Sequence, residues 1–383
     1  WRGMLHNLSE GAEEVLSKGK ISGYIGFDPT APSLTIGNYI QIMILHFFQQ
    51  AGHKPIVLMG GATGRVGDPS GKDQERTLLS FDKLDENLTH QIAQFRKLLN
   101  FESGDNAAIL VNNLDFYREM NVLEFLRDVG KTINVSYMLA KDSVKNRLEK
   151  GLSFTEFSYQ LLQAYDFQCL FQQHDCIVQM GGSDQWGNIT SGTEFIRRNL
   201  GKRAYAITTP LLTKTDGSKF GKSAEGNIWL DPKLTTPYKF YQFWINAADE
   251  DLPKFLRYFS FRNREEIEAL EASYREDLQG LKKILAEELT IRIHGEADYE
   301  AVLKVSELLF NKKADAEFVR NISRGEWQAV REEIPTFSLD QQHIATPVGI
   351  VDLLTDHTQV VQSKSDARRA IKGNALAVNK LKI

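Results

Sequence analysis

Between residues 22 and 212 short β-forming apolar runs alternate with helix-compatible sequence, at 22–27, 55–60, 107–113, 176–182 and 205–212. Strands that alternate with helices assemble as a parallel sheet covered by helices on both faces. The fold class expected is therefore α/β, with a doubly wound parallel sheet. Ligands of such sheets bind beyond the carboxyl ends of the strands. The unusual residues gather there: Gly26-Phe27-Asp28, Gly60-Gly61-Ala62-Thr63-Gly64 and Gly181-Gly182-Ser183-Asp184 each follow a strand run.

From Thr235 the pattern changes. Apolar residues fall at helical spacing, as in Leu281, Ile284, Leu285 and Leu289 and again in Val302, Val305 and Leu309, which predicts an all-α domain. At roughly 150 residues per domain, 383 residues suggest two to three domains. The division expected is 1–234 for the sheet, 235–324 for the helices, a linker over 325–346 and a small domain over 347–383. In the final 23 residues Lys364, Arg368, Arg369, Lys372, Lys380 and Lys382 stand against Asp366 alone, while the whole chain is acidic at net −4. Any contact with a polyanion must therefore be local.

The longest apolar runs are far shorter than the ~18 residues that span a bilayer, so no membrane segment and a cytosol-like compartment are expected. The chain opens at Trp1, which reads as a processed or trimmed start. Cys169 and Cys176, with His174 between them, offer three soft ligands where a structural zinc site needs four. They read as reduced packing residues. No histidine lies in a metal-type spacing, and neither a Gly-x-Ser-x-Gly turn nor a carboxylate pair stands out.

Four segments carry chemistry. Asp28-Pro29-Thr30 and a helix expected to start at Asn38, after Gly37, would turn free N–H groups toward one crevice and favour a phosphate; a strand-to-helix turn using Asp and Pro for turn geometry alone fits too. Lys219 and Lys222, with Ser223, stand in a glycine-punctuated loop suited to polyphosphate, or to plain solvation. Tyr159, Gln163 and Asp166 share a stripe if 154–171 is one helix. On so apolar a helix that stripe is either paired in a cavity or, with Gln160 and Gln168, a narrow solvent face. Asp184-Gln185 suits a ribose diol.

Taken in order, Gly26 to Thr30, Thr35-Ile36-Gly37-Asn38, Gly60 to Gly64, Gly67 to Lys72, Gly181 to Ile189 and Lys219 to Ser223 closely resemble the bacterial-type tyrosyl-tRNA synthetases, class I enzymes. The two class I signatures, HIGH and KMSKS, read TIGN and KFGKS here. Both histidines are replaced, by Thr35 and Asn38. Asn38 can still donate a hydrogen bond, whereas Thr35 is shorter.

The resemblance implies a Rossmann-like catalytic domain, an anticodon-side helical domain and a partial RNA-binding domain cut short at Ile383. It places the phenol of bound L-tyrosine at Tyr24 and Asp166, with Asn113 behind one of them, and the ammonium at Asp68, Tyr159 and Gln163. ATP, carrying Mg2+, would lie along Gly26, Asp28, Gly37, Gly182, Asp184 and Gln185. Thr30, Lys219, Lys222 and Ser223 would take its phosphates, joined by Lys72 and Arg76. Tyrosyl-adenylate would form with release of pyrophosphate, then pass to the terminal ribose of tRNA(Tyr). No covalent intermediate, protein-bound metal or organic cofactor is implied. Lys364, Arg368, Arg369 and Lys372 would contact tRNA, and a homodimer is implied. Two rivals differ from this reading. A tryptophanyl-tRNA synthetase fits Tyr24 and Asp166 poorly because an indole offers only a donor. An RNA-binding protein that has lost activation would not need the tyrosine set.

Overall fold

The structure is a computed structural model that describes the chain except residues 71–76, 149–150, 219, 224–225, 312–315, 340–346, 379–380 and 383. Six strands form one sheet: β1 (Asn7–Leu8), β2 (Ser22–Phe27), β3 (Lys54–Met59), β4 (Ile109–Asn112), β5 (Cys176–Gly182) and β6 (Tyr205–Thr209), in the order β1-β6-β5-β2-β3-β4. All neighbours from β6 to β4 are parallel. The fold class is thus the α/β doubly wound sheet expected. Chain order runs outward from β2 through β3 to β4, and on the other side from β5 to β6, so the direction of winding reverses between β2 and β5. A crevice opens at such a reversal.

Ile56, Val57 and Met59 of β3 have no exposed surface, as a strand covered on both faces requires. Helices Ile36–Gln50, Phe81–Leu98, Phe154–His174 and Trp186–Leu200 follow or flank the strands. The third is fixed at its start by Ser153, whose side chain accepts from the Glu156 amide. At its end Asp175 adopts a left-handed φ of 50°. Tyr24 of β2 pairs in register with Ile56 and Gln179, and its ring meets Phe167 at 5.3 Å.

Several expectations are corrected. β1 has no counterpart in the sequence reading; two residues carry too little pattern, and β6 recruits them antiparallel at its edge. The helix expected at Asn38 begins at Ile36, because Thr35 is its N-cap. Residues 324–333, all but the first expected as linker, form a helix. Ser323 and Glu326 close a capping box at its start, and Val330 is fully buried in a cluster with Val305, Leu308 and Ile322. One apolar anchor every few turns holds a helix that is too polar to show a period.

By compactness the chain divides into 1–235 with 243–293, and 236–242 with 294–383. Most residues of the expected helical domain up to 293 therefore join the sheet unit. Tyr39 stacks on Phe259 at 5.9 Å, and Arg292 donates to the Tyr39 hydroxyl at 3.0 Å. The second unit contains helices Glu296–Phe310 and Lys364–Lys372, with a short antiparallel pairing of Ala377–Val378 and Leu381–Lys382.

Candidate active site

A cavity of about 520 Å3 opens in the first unit at the ends of β2 and β5. Tyr24, Gly26, Asp28, Thr30, Thr35, Gly37, Asn38, Asp68, Asn113, Tyr159, Gln163, Asp166, Gly182, Asp184 and Gln185 all line it. Segments more than 150 residues apart in sequence thus meet where the winding reverses.

Its floor is a buried polar layer. Asp166 is 1% exposed, and both carboxylate oxygens are engaged: Asn113 Nδ2 donates to Oδ2 at 2.8 Å and the Tyr117 hydroxyl to Oδ1 at 2.7 Å. Asn113 therefore stands behind Asp166; Tyr24 keeps a buried hydroxyl with no hydrogen-bond partner among the described residues. Burial drives the Asp166 carboxyl up to about 7 against the pull of those two donors, and burial with the nearby Asp166 raises the Tyr24 phenol. A neutral, unsatisfied hydroxyl beside a carboxylate suits a guest that can both donate and accept.

Asp28 bridges the floor and one wall. Its Oδ1 accepts from Thr63 at 2.7 Å and its Oδ2 from the Tyr159 hydroxyl at 2.9 Å. A side chain at Gly60 would put Cβ 2.0 Å from Asp28 Oδ1, so only glycine lets this approach occur. Burial, then Asp28 and Asp68, hold the Tyr159 phenol well above its usual range, so it stays a donor.

The opposite wall ties Asp68 to the helix Trp186–Leu200. Asp68 accepts from the Ser70 amide at 2.8 Å and from Gln185 Nε2 at 2.7 Å, and Asn188 donates to Gln163 Oε1 at 3.0 Å. Gln185, expected at a ribose, is here a partner of Asp68, because the turn Ser183–Gln185 aims it across the cavity mouth.

At the helix start the Ile36 amide donates to the Ile228 carbonyl at 2.9 Å, and the Asn38 amide to Thr35 Oγ1 at 3.3 Å. The Gly37 amide is the remaining donor of the first three. Gly221, at φ +81°, packs so closely that a Cβ would lie 2.8 Å from Ile36 Cγ2. Next to it Phe220 is buried among Phe243, Trp244, Phe255 and Phe259. The expected loop is thus anchored at its centre. Lys222 is exposed on a two-residue pairing of Lys222–Ser223 with Gly226–Asn227 and does not line the cavity. Lys72, Arg76 and Lys219 lie outside the described residues.

Lys364, Arg368, Arg369 and Lys372 occupy one helix of the second unit. Lys364 is held by Asp352 at 2.7 Å and Asp356 at 2.8 Å, and Arg369 by Asp366, whereas Arg368 and Lys372 are exposed. Cys169 and Cys176 are free and buried, and no cluster of metal-ligating residues occurs among the described residues. No described helix is long and apolar enough to cross a membrane.

Sequence reasoning missed Tyr117, Thr63, Ser70 and Asn188. Thr63, Ser70 and Asn188 lie inside the motifs that were read, but Tyr117 lies outside all of them.

The family described as tRNA synthetases class I (W and Y) matches residues 16–311. The tyrosine–tRNA ligases of Cytophaga hutchinsonii and Bacteroides thetaiotaomicron are 53% and 49% identical to this chain, over all of it and 90% of each relative. A C-terminally truncated mitochondrial tyrosyl-tRNA synthetase of Aspergillus nidulans superposes with a TM-score of 0.72 at 31% identity, covering 81% of this chain and 92% of that one.

Proposed function

We infer how this site works from the premise that the chain belongs to the W and Y group of class I tRNA synthetases, as a bacterial-type tyrosyl-tRNA synthetase. It attaches tyrosine to tRNA, with ATP as the activating substrate. The observation that carries the residue-level reading is the unpartnered Tyr24 hydroxyl beside Asp166 in the cavity floor. A tyrosine phenol entering there donates to Asp166 and accepts from Tyr24, whereas phenylalanine leaves both unpaired in a buried site. An indole N–H could donate to Asp166 but has nothing to offer Tyr24, which disfavours tryptophan.

Asp68, Tyr159 and Gln163 hold the ammonium, with Gln185 and Asn188 fixing the geometry of Asp68 and Gln163. ATP, with its Mg2+, lies along Gly26, Asp28, Gly37, Gly182 and Asp184, and the Gly37 amide and Thr30 meet its phosphates. Lys222, Ser223, Lys219, Lys72 and Arg76 are the further phosphate ligands. A tyrosine carboxylate oxygen attacks the α-phosphorus, the bond to the bridging oxygen breaks and pyrophosphate leaves. The terminal ribose hydroxyl of tRNA(Tyr) then attacks the acyl carbon and AMP departs. The protein positions reactants and stabilises charge on the phosphoryl group.

Arg368 and Lys372 contact tRNA, within a division of labour that gives residues 235–324 the anticodon side and 347–383 a small RNA-binding fold. A homodimer is supported by Val122, Leu123, Leu126 and Val135, apolar residues between 49% and 74% exposed in one short stretch. A cytoplasmic location fits this work. Pyrophosphate exchange measured with each amino acid tests the reading: tyrosine should support exchange and tryptophan should not, and exchange with tryptophan alone would overturn it.

A further inference from the structure

Tyr117 follows the turn Asn113–Phe116 that closes β4. Its ring packs against Tyr165 at 5.7 Å and Phe125 at 6.4 Å. Its hydroxyl lies 2.7 Å from Asp166 Oδ1 and 3.0 Å from the Leu162 carbonyl. A phenol has one proton to donate, and the shorter contact, to a carboxylate, takes it. Tyr117 does not line the cavity, whereas Asp166, Asn113 and Tyr24 do. The hydroxyl therefore reaches Asp166 from the protein side and leaves the cavity-facing lone pairs for a guest.

We propose that Tyr117 is a positioning residue for specificity: it holds Asp166 as a hydrogen-bond acceptor, so that the pocket engages a substrate that donates a phenol proton and rejects one that lacks it. The proposal rests on the assignment of Asp166 to the substrate phenol made above. Two effects oppose each other at this carboxyl. Burial, and to a lesser degree Asp28, favour its protonated form, while the hydrogen bonds from Tyr117 and Asn113 favour the charged one, leaving it at about 7. The other titratable groups around it are Tyr24 on β2, Tyr159, Tyr165 and Cys169 on its own helix, and Tyr117. Burial raises all of these, so they are neutral near pH 7, and among the described residues Asp28 is the charge that acts on Asp166. A protonated Asp166 would donate where the substrate also donates. The Tyr117 hydroxyl stabilises only the charged form, so its loss tips the balance.

The test is tyrosine- and phenylalanine-dependent pyrophosphate exchange by the full chain and by Tyr117→Phe, from about pH 6 to about pH 9. The acid-side midpoint of kcat/KM for tyrosine should move up by roughly one pH unit, the size expected for one hydrogen bond to a charge. Near pH 7 the preference for tyrosine should fall by about fivefold, and alkaline pH should restore it. A packing defect would not be rescued by pH. An unmoved midpoint, or an equal loss at every pH, overturns the proposal. Asp166→Asn separates the two levels: if it leaves tyrosine preference and the acid limb intact, the phenol assignment itself fails. If it abolishes the limb while Tyr117→Phe leaves the midpoint unmoved, only the role of Tyr117 fails.

Discussion

Thr35 and Asn38 cap one another: the Thr35 hydroxyl and amide both donate to Asn38 Oδ1, at 2.8 and 2.9 Å, and the Asn38 amide donates back to Thr35 Oγ1. From the sequence, Asn38 replaces a histidine as a hydrogen-bond donor and the shorter Thr35 contributes less. The structure makes the pair one unit that fixes the start of the helix at the cavity mouth.

Thr35→Ala should therefore not be silent. It removes an N-cap, which costs about 1 kcal/mol, and it also frees Asn38. Urea denaturation should show that loss, and pre-steady-state kinetics a slower adenylate step, with Thr35→Ser close to wild type in both. Wild-type stability and rate in Thr35→Ala would refute the coupling.

Tyr24→Phe should separate stability from recognition. The hydroxyl has no partner among the described residues, so its removal should leave urea stability unchanged or raise it by about 1 kcal/mol. The ratio of specificity constants for tyrosine over phenylalanine should fall. A destabilised variant with unchanged selectivity would show that the hydroxyl serves the fold.

Arg147 and Glu156 form a bidentate pair, at 2.9 and 2.8 Å, with side chains 3% and 2% exposed. The pair anchors the first turn of the helix that bears Tyr159, Gln163 and Asp166. Arg147→Met leaves a buried carboxylate alone and should cost about 3–5 kcal/mol, while the double change with Glu156→Leu should recover most of it. Chemical denaturation of both variants decides, since equal losses would mean the pair is not a unit.

His46 stacks on Phe261 with ring centroids 3.7 Å apart, and the Arg292 guanidinium covers the same ring at 3.4 Å. Burial, then Arg292 and Arg2, hold the imidazole at about 4. The folded state thus binds this proton less readily than the unfolded chain, so the stability that His46 contributes is full above about pH 6.5 and lost as pH falls toward 4. In His46→Phe the urea midpoint should decline less across that window. Identical pH profiles would remove His46 as a source of acid sensitivity.

Among the basic residues of the helix Lys364–Lys372, Arg368→Ala and Lys372→Ala should weaken tRNA charging and each lower the salt slope of tRNA binding by about 1, without touching tyrosine-dependent exchange. Lys364→Ala should act mainly on local stability, because Asp352 and Asp356 occupy its ammonium. Filter binding at several salt concentrations tells these apart.

The parallel strands were legible because buried apolar runs between turn residues leave few alternatives, and the stripe Tyr159, Gln163 and Asp166 because helical spacing puts it on one side of Phe154–His174. Motif order carried most of the cavity lining. What escaped depends on partners distant in the chain. Two residues become β1 only because β6 offers an edge, and 324–333 becomes a helix through a single buried valine and a cap. Tyr117 finds Asp166 across 49 positions that no local pattern encodes. The exchange of Gln185 from ribose to Asp68 is likewise a matter of geometry 117 residues apart.

β2 waits for one of its neighbours. It can pair with β3 early, but about 150 residues separate its end at Phe27 from Cys176, where β5 begins. On a ribosome adding about 5–20 residues per second, that is an interval of about 8–30 s in which the central strand keeps one edge open. An unpaired edge is a template for wrong partners. The nascent chain is thus most exposed to mispairing while β2 waits, and the cavity comes into being late, when β5 pairs with the open edge of β2 and β6 then joins β5.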